Sequence, residues 1–222
     1  MKTIHISNEK DIQQTQDTVL VLGYFDGLHR GHQALFAEAR QIAAEKKLKI
    51  AVLTFPESPK LAFVRYQPDL LLHLNSPEER EQLLEAQGVD YLYLIDFTSC
   101  FAGNKAEDFF EKYVKRLKAK AVVAGFDYHF GSDKKEAKEL SQYFDGQIVI
   151  VSSVNEDAEK ISSTRIRQEI KEGRVAEARR LLGYPLSTRG IVVHGNARGR
   201  TIGYPTANLA PLDRVFLPGD GV

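Results

Sequence analysis

A glycine-rich turn joins a strand pattern to a helix pattern in the stretch Thr18-Val19-Leu20-Val21-Leu22-Gly23-Tyr24-Phe25-Asp26-Gly27-Leu28-His29-Arg30-Gly31-His32. The residues at 18–22 are apolar or β-branched and predict a buried strand. Apolar residues then recur at helical spacing and predict a helix from about residue 32 to residue 46. A helix that begins after such a turn offers unpaired N–H groups and the positive end of its dipole, which suit a phosphate. The stretch therefore predicts a phosphate site between a strand and a helix.

Strand and helix patterns continue to alternate along the chain. Further strands are predicted at 48–55, 89–95, 121–124 and 147–151, and further helices at about 77–88, 106–117, 133–144, 163–171 and 175–182. Because apolar strands that alternate with helices are typical of a parallel sheet covered on both faces, we expect an α/β fold. Ligands of such sheets bind beyond the carboxyl ends of the strands, so the loops after the first, second and fourth of these predicted strands are the candidate binding sites.

Composition limits the classes of protein to which the chain can belong. Apolar residues make up 43% and charged residues 27% of its 222 residues, a balance typical of a globular protein. Lys and Arg together number 30, as do Asp and Glu, so bulk charge gives no support for a nucleic-acid partner. The single cysteine, the polar amino terminus and the short apolar runs favour a cytoplasmic protein without a membrane segment. Oligomeric state is not predicted.

The turn also carries groups that can act on phosphate. His29 and His32 can donate hydrogen bonds to phosphate oxygens, and Gly23, Gly27 and Gly31 allow a phosphate to approach the backbone closely. Attack on the α-phosphorus of ATP builds negative charge that such donors stabilise without a protein nucleophile. Two other interpretations are a plain glycine-rich turn and a zinc-binding histidine pair, although no cysteine or carboxylate cluster completes a zinc site.

The pattern Gly-x-Phe-Asp-Gly-x-His-x-Gly-His resembles the signature of the nucleotidyltransferase superfamily, and its longer form resembles bacterial FAD synthetases. The resemblance implies a Rossmann-like nucleotidyltransferase domain in which His29 and His32 are catalytic. It also implies that ATP and its phosphates are bound by residues of the same turn: Gly23, Phe25, Asp26 and Gly31.

A second motif, Ile161-Ser162-Ser163-Thr164-Arg165-Ile166-Arg167, lies at the start of a predicted helix. By itself it favours an ordinary capped helix with solvated arginines. It is similar to the family pattern Ser-Ser-Thr-x-x-Arg, which implies that Ser163, Thr164 and Arg167 hold the ATP phosphates. Lys160 stands where family members often carry arginine and is a further candidate.

The loop at 125–131 resembles the flavin-binding loop of the same family. The resemblance implies that Asp127 bonds the flavin and that Phe130 packs near its ring, while Phe126 and Tyr128 are expected to face the core. Phe63 is a candidate for stacking on the flavin. The loop before it departs from the family pattern, because Glu57 stands at the position of the first proline.

Residues 195–208 resemble the opening motif of bacterial riboflavin kinases. We therefore expect a transferase domain at 1–184 and, at 185–222, the first part of a β-barrel riboflavin kinase domain. The resemblance implies that this part contacts nucleotide and metal through Gly199, Arg200, Thr206 and Asn208. The residues after 208 are too few to close a barrel, so riboflavin phosphorylation is expected only with a further carboxyl-terminal segment.

Together these resemblances imply that AMP passes from Mg²⁺-bound ATP to FMN, giving FAD and pyrophosphate. The expected partners are small molecules: ATP, FMN and, for the kinase part, riboflavin. Two alternatives stay open at this point. The acceptor could be another phosphorylated compound, such as a nicotinamide or pantetheine phosphate, or the chain could be a non-catalytic flavin-binding or regulatory homologue.

Overall fold

The computed structural model describes residues 1–196 and 198–219; Ala197 of the kinase-like motif and residues 220–222 lie outside the described residues. The strands are β1 (Lys2–Ile6), β2 (Thr18–Leu22), β3 (Lys49–Thr54), β4 (Tyr91–Ile95), β5 (Ala119–Gly125), β6 (His129–Phe130), β7 (Lys135–Glu136), β8 (Gln147–Val151), β9 (Asn155–Glu156), β10 (Glu159–Lys160), β11 (Gly190–Val193) and β12 (Asn208–Pro211). The α-helices are α1 (Arg30–Lys46), α2 (Pro77–Ala86), α3 (Ser99–Ala102), α4 (Ala106–Phe109), α5 (Ser163–Lys171), α6 (Val175–Leu182) and α7 (Arg198–Thr201).

A six-stranded parallel sheet forms the centre of the molecule, in the order β1-β4-β3-β2-β5-β8. The chain adds β3 and β4 on one side of β2 and then β5 and β8 on the other, so the winding direction reverses between β2 and β5. A reversal of this kind opens a crevice at the carboxyl ends of the two strands. The predicted α/β fold is therefore confirmed, and the loops after β2 and β5 flank the crevice.

The strand β2 is buried on both faces, as its unbroken apolar sequence predicts. Leu20 and Leu22 point to one face of the sheet, while Val19 and Val21 point to the other. The second face is covered by α1, through the buried side chains of Leu35, Phe36, Ala39 and Ile42. The first face is covered by residues 106–117 and 137–140, which include four buried side chains: Phe109, Phe110, Tyr113 and Leu117.

Two predicted helices differ in the structure. The helix predicted at 106–117 begins as α4 and then widens into a π-helical segment, Phe110–Val114. The helix predicted at 133–144 is wrong, because β7 pairs with β6 and only a 3₁₀ helix, Ala137–Gln142, follows. In that short helix Ala137 and Leu140 are the buried residues, and their three-residue spacing matches the tighter 3₁₀ turn.

The carboxyl-terminal residues extend from this core. A third apolar cluster packs α5 and α6 against Leu74 and Phe216. Beyond it, β11 and β12 form an antiparallel pair whose apolar side chains, among them Ile191 and Leu209, are exposed. This pair follows the α/β domain, and the motif that resembles riboflavin kinases runs from the connection between its strands into β12. Within residues 1–196 and 198–219, no helix combines the length and apolar character needed to cross a bilayer.

The central position of β2 predicts a large effect of truncating Leu20. Its side chain is fully buried, so Leu20→Ala removes apolar contacts and leaves a cavity, and we expect the free energy of unfolding to fall by about 2–5 kcal/mol. Denaturant unfolding measures the change. Leu209→Ala, at a side chain that is 57% exposed, is the control and is expected to change stability by less than about 0.5 kcal/mol.

Candidate functional site

A cleft with two adjoining lobes lies at the carboxyl edge of the sheet. The larger lobe, about 510 Å³, contains the turn after β2, the start of α5 and Lys160. The smaller lobe, about 370 Å³, has a largely aromatic wall. Phe55 and Tyr128 line both lobes, which are therefore neighbours along one surface. Their volumes are typical of sites for small molecules.

Two histidines stand at the beginning of α1 in the larger lobe. His29 is the N-cap residue, and its Nδ1 accepts a hydrogen bond from the backbone N–H of His32 at 3.3 Å. In the neutral ring the proton therefore lies on Nε2. The His32 ring stacks on the His29 ring with centroids 3.7 Å apart. The turn thus brings both predicted catalytic side chains together at a helix N-terminus, where anions are favoured.

Burial keeps both imidazoles neutral. Burial first, and then the Lys160 ammonium, lowers the pKa of His29 to about 4 against the opposing effect of Asp127. Burial also lowers the pKa of His32 well below its usual value, with the His29 ring and Lys160 adding to the effect. In the unliganded protein at neutral pH, both rings are therefore uncharged donors and acceptors.

Two of the three glycines of the turn, Gly23 and Gly31, make room for aromatic side chains of the turn itself. A Cβ at Gly23 would lie 2.7 Å from the Phe25 ring, and a Cβ at Gly31 would lie 3.1 Å from the His29 ring. Phe25 is buried and has a left-handed backbone with φ of 58°, a conformation that costs free energy in a non-glycine residue. Its ring meets the His32 ring edge-on at 5.3 Å. Packing around Phe25 therefore sets the position of the histidines.

Asp26 connects the turn to two other parts of the chain. It is only 3% exposed; its Oδ1 accepts a hydrogen bond from the Leu74 N–H at 2.8 Å, and its Oδ2 forms an ion pair with Arg167. Ser163 Oγ donates to the carbonyl oxygen of Asp26 at 2.9 Å. The turn and the start of α5 therefore form one hydrogen-bonded unit. Thr164, one residue further on, is exposed on the rim of the same lobe.

The other arginine of this motif holds a different element. Arg165 donates to the carbonyl oxygens of Glu156 at 3.0 Å and Glu159 at 3.2 Å, and so clamps the hairpin of β9 and β10. That hairpin carries Lys160, whose ammonium pairs with Asp127 and lies 4.6 Å from the centre of the Phe126 ring. Arg165 and Arg167, two residues apart on α5, therefore point in different directions.

The smaller lobe contains most of the predicted flavin-binding side chains. Phe63 is 66% exposed and lies against its wall, whereas Phe130 is only 4% exposed and belongs to the main core behind it. Tyr128 packs on the core as predicted. The prediction for Phe126 was wrong, because its ring is half-exposed beneath Lys160. Sequence reasoning also missed aromatic side chains that only the fold brings to this lobe: Phe97, Phe101 and Phe109.

The kinase-like residues line a separate pocket of about 490 Å³, which includes Gly199, Arg200, Thr206 and Asn208. A Cβ at Gly199 would lie 3.1 Å from Thr206 Oγ1, so the backbone at 199 closely approaches this hydroxyl. The four residues that the resemblance assigns to this part are therefore close together. Over the two described ranges, no three His, Cys, Asp or Glu side chains come together to hold a metal ion.

The low pKa of His29 predicts that acid destabilises the fold. Between pH 6.5 and about 4, the histidine takes up a proton in the unfolded chain but not in the folded one. The free energy of unfolding therefore falls as the pH is lowered through this window. We expect His29→Gln to reduce that slope by up to about 1.4 kcal/mol per pH unit, the value for one proton.

Denaturant unfolding at a series of pH values measures the slope. The exposed His5→Gln variant serves as the control, because His5 lies outside the cleft. A slope in His29→Gln equal to that of the unmodified protein would contradict the prediction.

Comparison with known families matches both parts of the chain. The FAD synthetase family model matches residues 11–165, and the riboflavin kinase model matches residues 182–222. A bifunctional riboflavin kinase/FMN adenylyltransferase of Listeria monocytogenes is 42% identical over the whole chain, which spans 72% of that relative. The protein of the same name from Bacillus subtilis is 38% identical with the same coverage.

Two solved structures are also similar. A Streptococcus pneumoniae protein described as a macrolide-efflux protein superimposes with a TM-score of 0.95 at 58% identity, covering 99% of this chain and 72% of its own. Its description differs from the names of the family models and of the curated relatives. A pantoate-β-alanine ligase from Francisella tularensis shares the fold, with a TM-score of 0.51 at 14% identity and coverage of 82% and 78%. The motifs, the fold and the similarity to the curated relatives along the whole of this chain agree: the chain belongs to the bifunctional riboflavin kinase/FMN adenylyltransferase family, and its riboflavin kinase region is present in part, at residues 182–222.

Proposed function

We propose that this protein transfers the AMP part of Mg²⁺-bound ATP to FMN. In this reaction a phosphate oxygen of FMN attacks the α-phosphorus of ATP, the bond from that phosphorus to the bridging oxygen breaks, and pyrophosphate leaves. The observation that carries the proposal is the stacked pair of His29 and His32 at the start of α1, in a polar lobe that adjoins an aromatic lobe. The two lobes suit a triphosphate and a flat ring system, respectively.

The histidines act as donors to the charge that develops during transfer. Because Nδ1 of His29 accepts the His32 N–H, the neutral His29 ring donates through Nε2. The negative charge of bound ATP favours the protonated imidazoles and therefore raises their low pKa values on binding. Donors held in place before the reaction stabilise the oxygens around the α-phosphorus and the leaving pyrophosphate without reorganisation.

The start of α5 supplies the remaining contacts to ATP in this proposal. Thr164 is exposed in the polar lobe, and the Nε of Arg167 is buried without a hydrogen-bond partner among the described residues. Arg167 and Ser163 are both bonded to Asp26, so we assign Asp26 the role of orienting them. Gly23, Phe25 and Gly31 shape the floor of the lobe beneath the nucleotide.

The flavin occupies the aromatic lobe in this proposal. Phe63 offers an exposed face for stacking, and Asp127 stands where the two lobes meet, paired with Lys160. Phe130 forms part of the wall from its place in the core. Lys160 lies near both histidines and Asp127, a position from which it can bind the phosphate of either substrate.

Magnesium enters this scheme with the nucleotide. Magnesium typically retains waters and is held by substrate phosphates with one or two carboxylates, and the Asp26 carboxylate is already bonded to Leu74 and Arg167. Among the described residues, no three His, Cys, Asp or Glu side chains come together as a metal site. The ion is therefore treated as part of the Mg-ATP substrate.

The direct test is to incubate the 222-residue protein with Mg-ATP and FMN and to measure FAD and pyrophosphate in equal amounts. Parallel reactions contain nicotinamide mononucleotide or a pantetheine phosphate in place of FMN, and the family resemblance leads us to expect turnover with FMN alone. Pyrophosphate release with another acceptor but not with FMN would reject the proposal in favour of a different adenylyltransferase. Flavin binding without turnover would favour a non-catalytic homologue.

Removal of the His29 side chain tests the assignment of the charge-stabilising donors. We expect His29→Ala to lower kcat for FAD formation at least about a hundredfold, the scale of one lost oxyanion-type donor. His5→Ala is the matched control, because His5 lies in β1, at the edge of the sheet and outside the cleft. This variant is expected to retain full turnover. If His29→Ala turned over as fast as this control, the histidine would have no role in transfer.

The stacking role of Phe63 predicts a selective effect on flavin binding. Phe63→Ala removes one aromatic contact, so we expect the KM for FMN to rise about two- to twelvefold and the KM for ATP to stay the same. Tyr66→Ala is the control, because Tyr66 is equally exposed but does not line the lobe. Equal changes in the two variants, or a rise in the KM for ATP alone, would contradict a stacking role.

A further inference from the structure

A short segment after β12 returns to the transferase site. The His73 N–H donates to the Arg214 carbonyl oxygen at 2.8 Å, and the Phe216 N–H donates to the His73 carbonyl oxygen at 2.9 Å. These bonds form a parallel bridge between His73 and Val215. Residues 213–216, which we call the return segment, lie within the range matched by the riboflavin kinase model. The kinase side of the chain therefore contributes backbone pairing to the transferase side.

Ion pairs hold the first two residues of the return segment, just before this bridge. Asp213 accepts from Arg189, which also pairs with Glu78 at the start of α2. Arg214 pairs with Glu57, in the loop after β3. Surface ion pairs of this kind contribute little stability individually, but together they specify where the segment docks.

The bridge places Phe216 beneath the start of α5. Its side chain is only 4% exposed and packs in the third apolar cluster, together with Leu74 and Ile170. The guanidinium carbon of Arg167 lies 5.4 Å from the centre of the Phe216 ring, and the Lys171 ammonium lies 5.5 Å from it. Both distances are within the range of cation–π attraction.

Arg167 is therefore constrained from two directions. The Asp26 carboxylate, which belongs to the glycine-rich turn, holds one end of the guanidinium through an ion pair, while the Phe216 ring supports it through cation–π contact. The side chain of Arg167 is 25% exposed and lines the polar lobe. An arginine with a carboxylate on one side and an aromatic ring on another has few rotamers left and is preorganised for a phosphate.

We propose that Phe216 is a positioning residue of the transferase site, through which the kinase-side return segment orients Arg167 for ATP. This inference rests on the proposed function for the identity of the reaction, but its main test measures ATP binding alone. The aromatic ring is the essential feature, because an aliphatic side chain could fill the same space without attracting the guanidinium.

The test compares Phe216→Leu with the unmodified 222-residue protein by calorimetric titration with Mg-ATP. We expect ATP to bind about three- to tenfold more weakly, the range of one partly buried cation–π contact. In FAD formation we expect the KM for ATP to rise by the same factor, with kcat and the KM for FMN little changed. Phe216→Met, whose unbranched and flexible side chain can adapt to the space of the ring, repeats the measurement if Phe216→Leu folds poorly.

A double-mutant cycle with Arg167→Met separates positioning from general packing. If Phe216 acts through Arg167, then Phe216→Leu weakens ATP binding in the unmodified background and causes no further loss in the Arg167→Met background. The control is Phe144→Leu, which removes a partly buried ring on the other side of the sheet and is expected to leave ATP affinity unchanged. Thermal unfolding of each variant confirms that it is folded at the assay temperature.

Equal losses of affinity in both backgrounds, or no loss in either, would overturn the inference. Failure of the proposed function would look different. The unmodified protein would then form no FAD from FMN, while the coupling between Phe216 and Arg167 could still be measured in ATP binding.

Discussion

The buried carboxylate of Asp26 is the interaction on which the site depends. It accepts the Leu74 N–H and pairs with Arg167, while its own carbonyl oxygen accepts the Ser163 hydroxyl. Three distant parts of the chain therefore meet at one residue that follows the central strand of the sheet. Removing one partner of a buried ion pair leaves an uncompensated charge, at a cost of about 3–5 kcal/mol, so Asp26 and Arg167 depend on each other.

The site combines two cations, each paired with a carboxylate, with two histidines that are uncharged. Asp26 balances Arg167 and Asp127 balances Lys160, so neither cation is left alone when the cleft is empty. The histidines between them are kept neutral by burial. In the proposed reaction, a bound triphosphate would meet donors that are already oriented, and its own charge would then favour the protonated rings. Little reorganisation is left for the reaction itself, which is the condition for effective electrostatic stabilisation.

The two parts of the chain are not independent at this site. The FAD synthetase match ends at residue 165, yet the third apolar cluster continues through α6 to Phe216, which lies in the kinase-matched range. Backbone bonds between His73 and the return segment make this contact part of the fold. A family that joins two successive reactions in one chain thus has, in this member, a direct physical link between the regions that match the two activities.

Local pattern by itself predicted the strand β2, the glycine-rich turn, the helix α1 and the start of α5, because each depends on neighbours within a few residues. The motifs also identified His29, His32 and Arg167, which the structure brings to one lobe. Sequence reasoning missed the edge strand β1, since its pairing with β4 depends on residues far away in the chain. It also mistook residues 133–144 for a helix, where β7 pairs with the nearby strand β6 and only a 3₁₀ helix follows. It also gave no sign of the aromatic wall from Phe97 to Phe109, or of Phe216 beneath Arg167. Those contacts exist only after long loops close, because burial of apolar surface and pairing of buried polar groups are satisfied by the whole fold and not by any single segment.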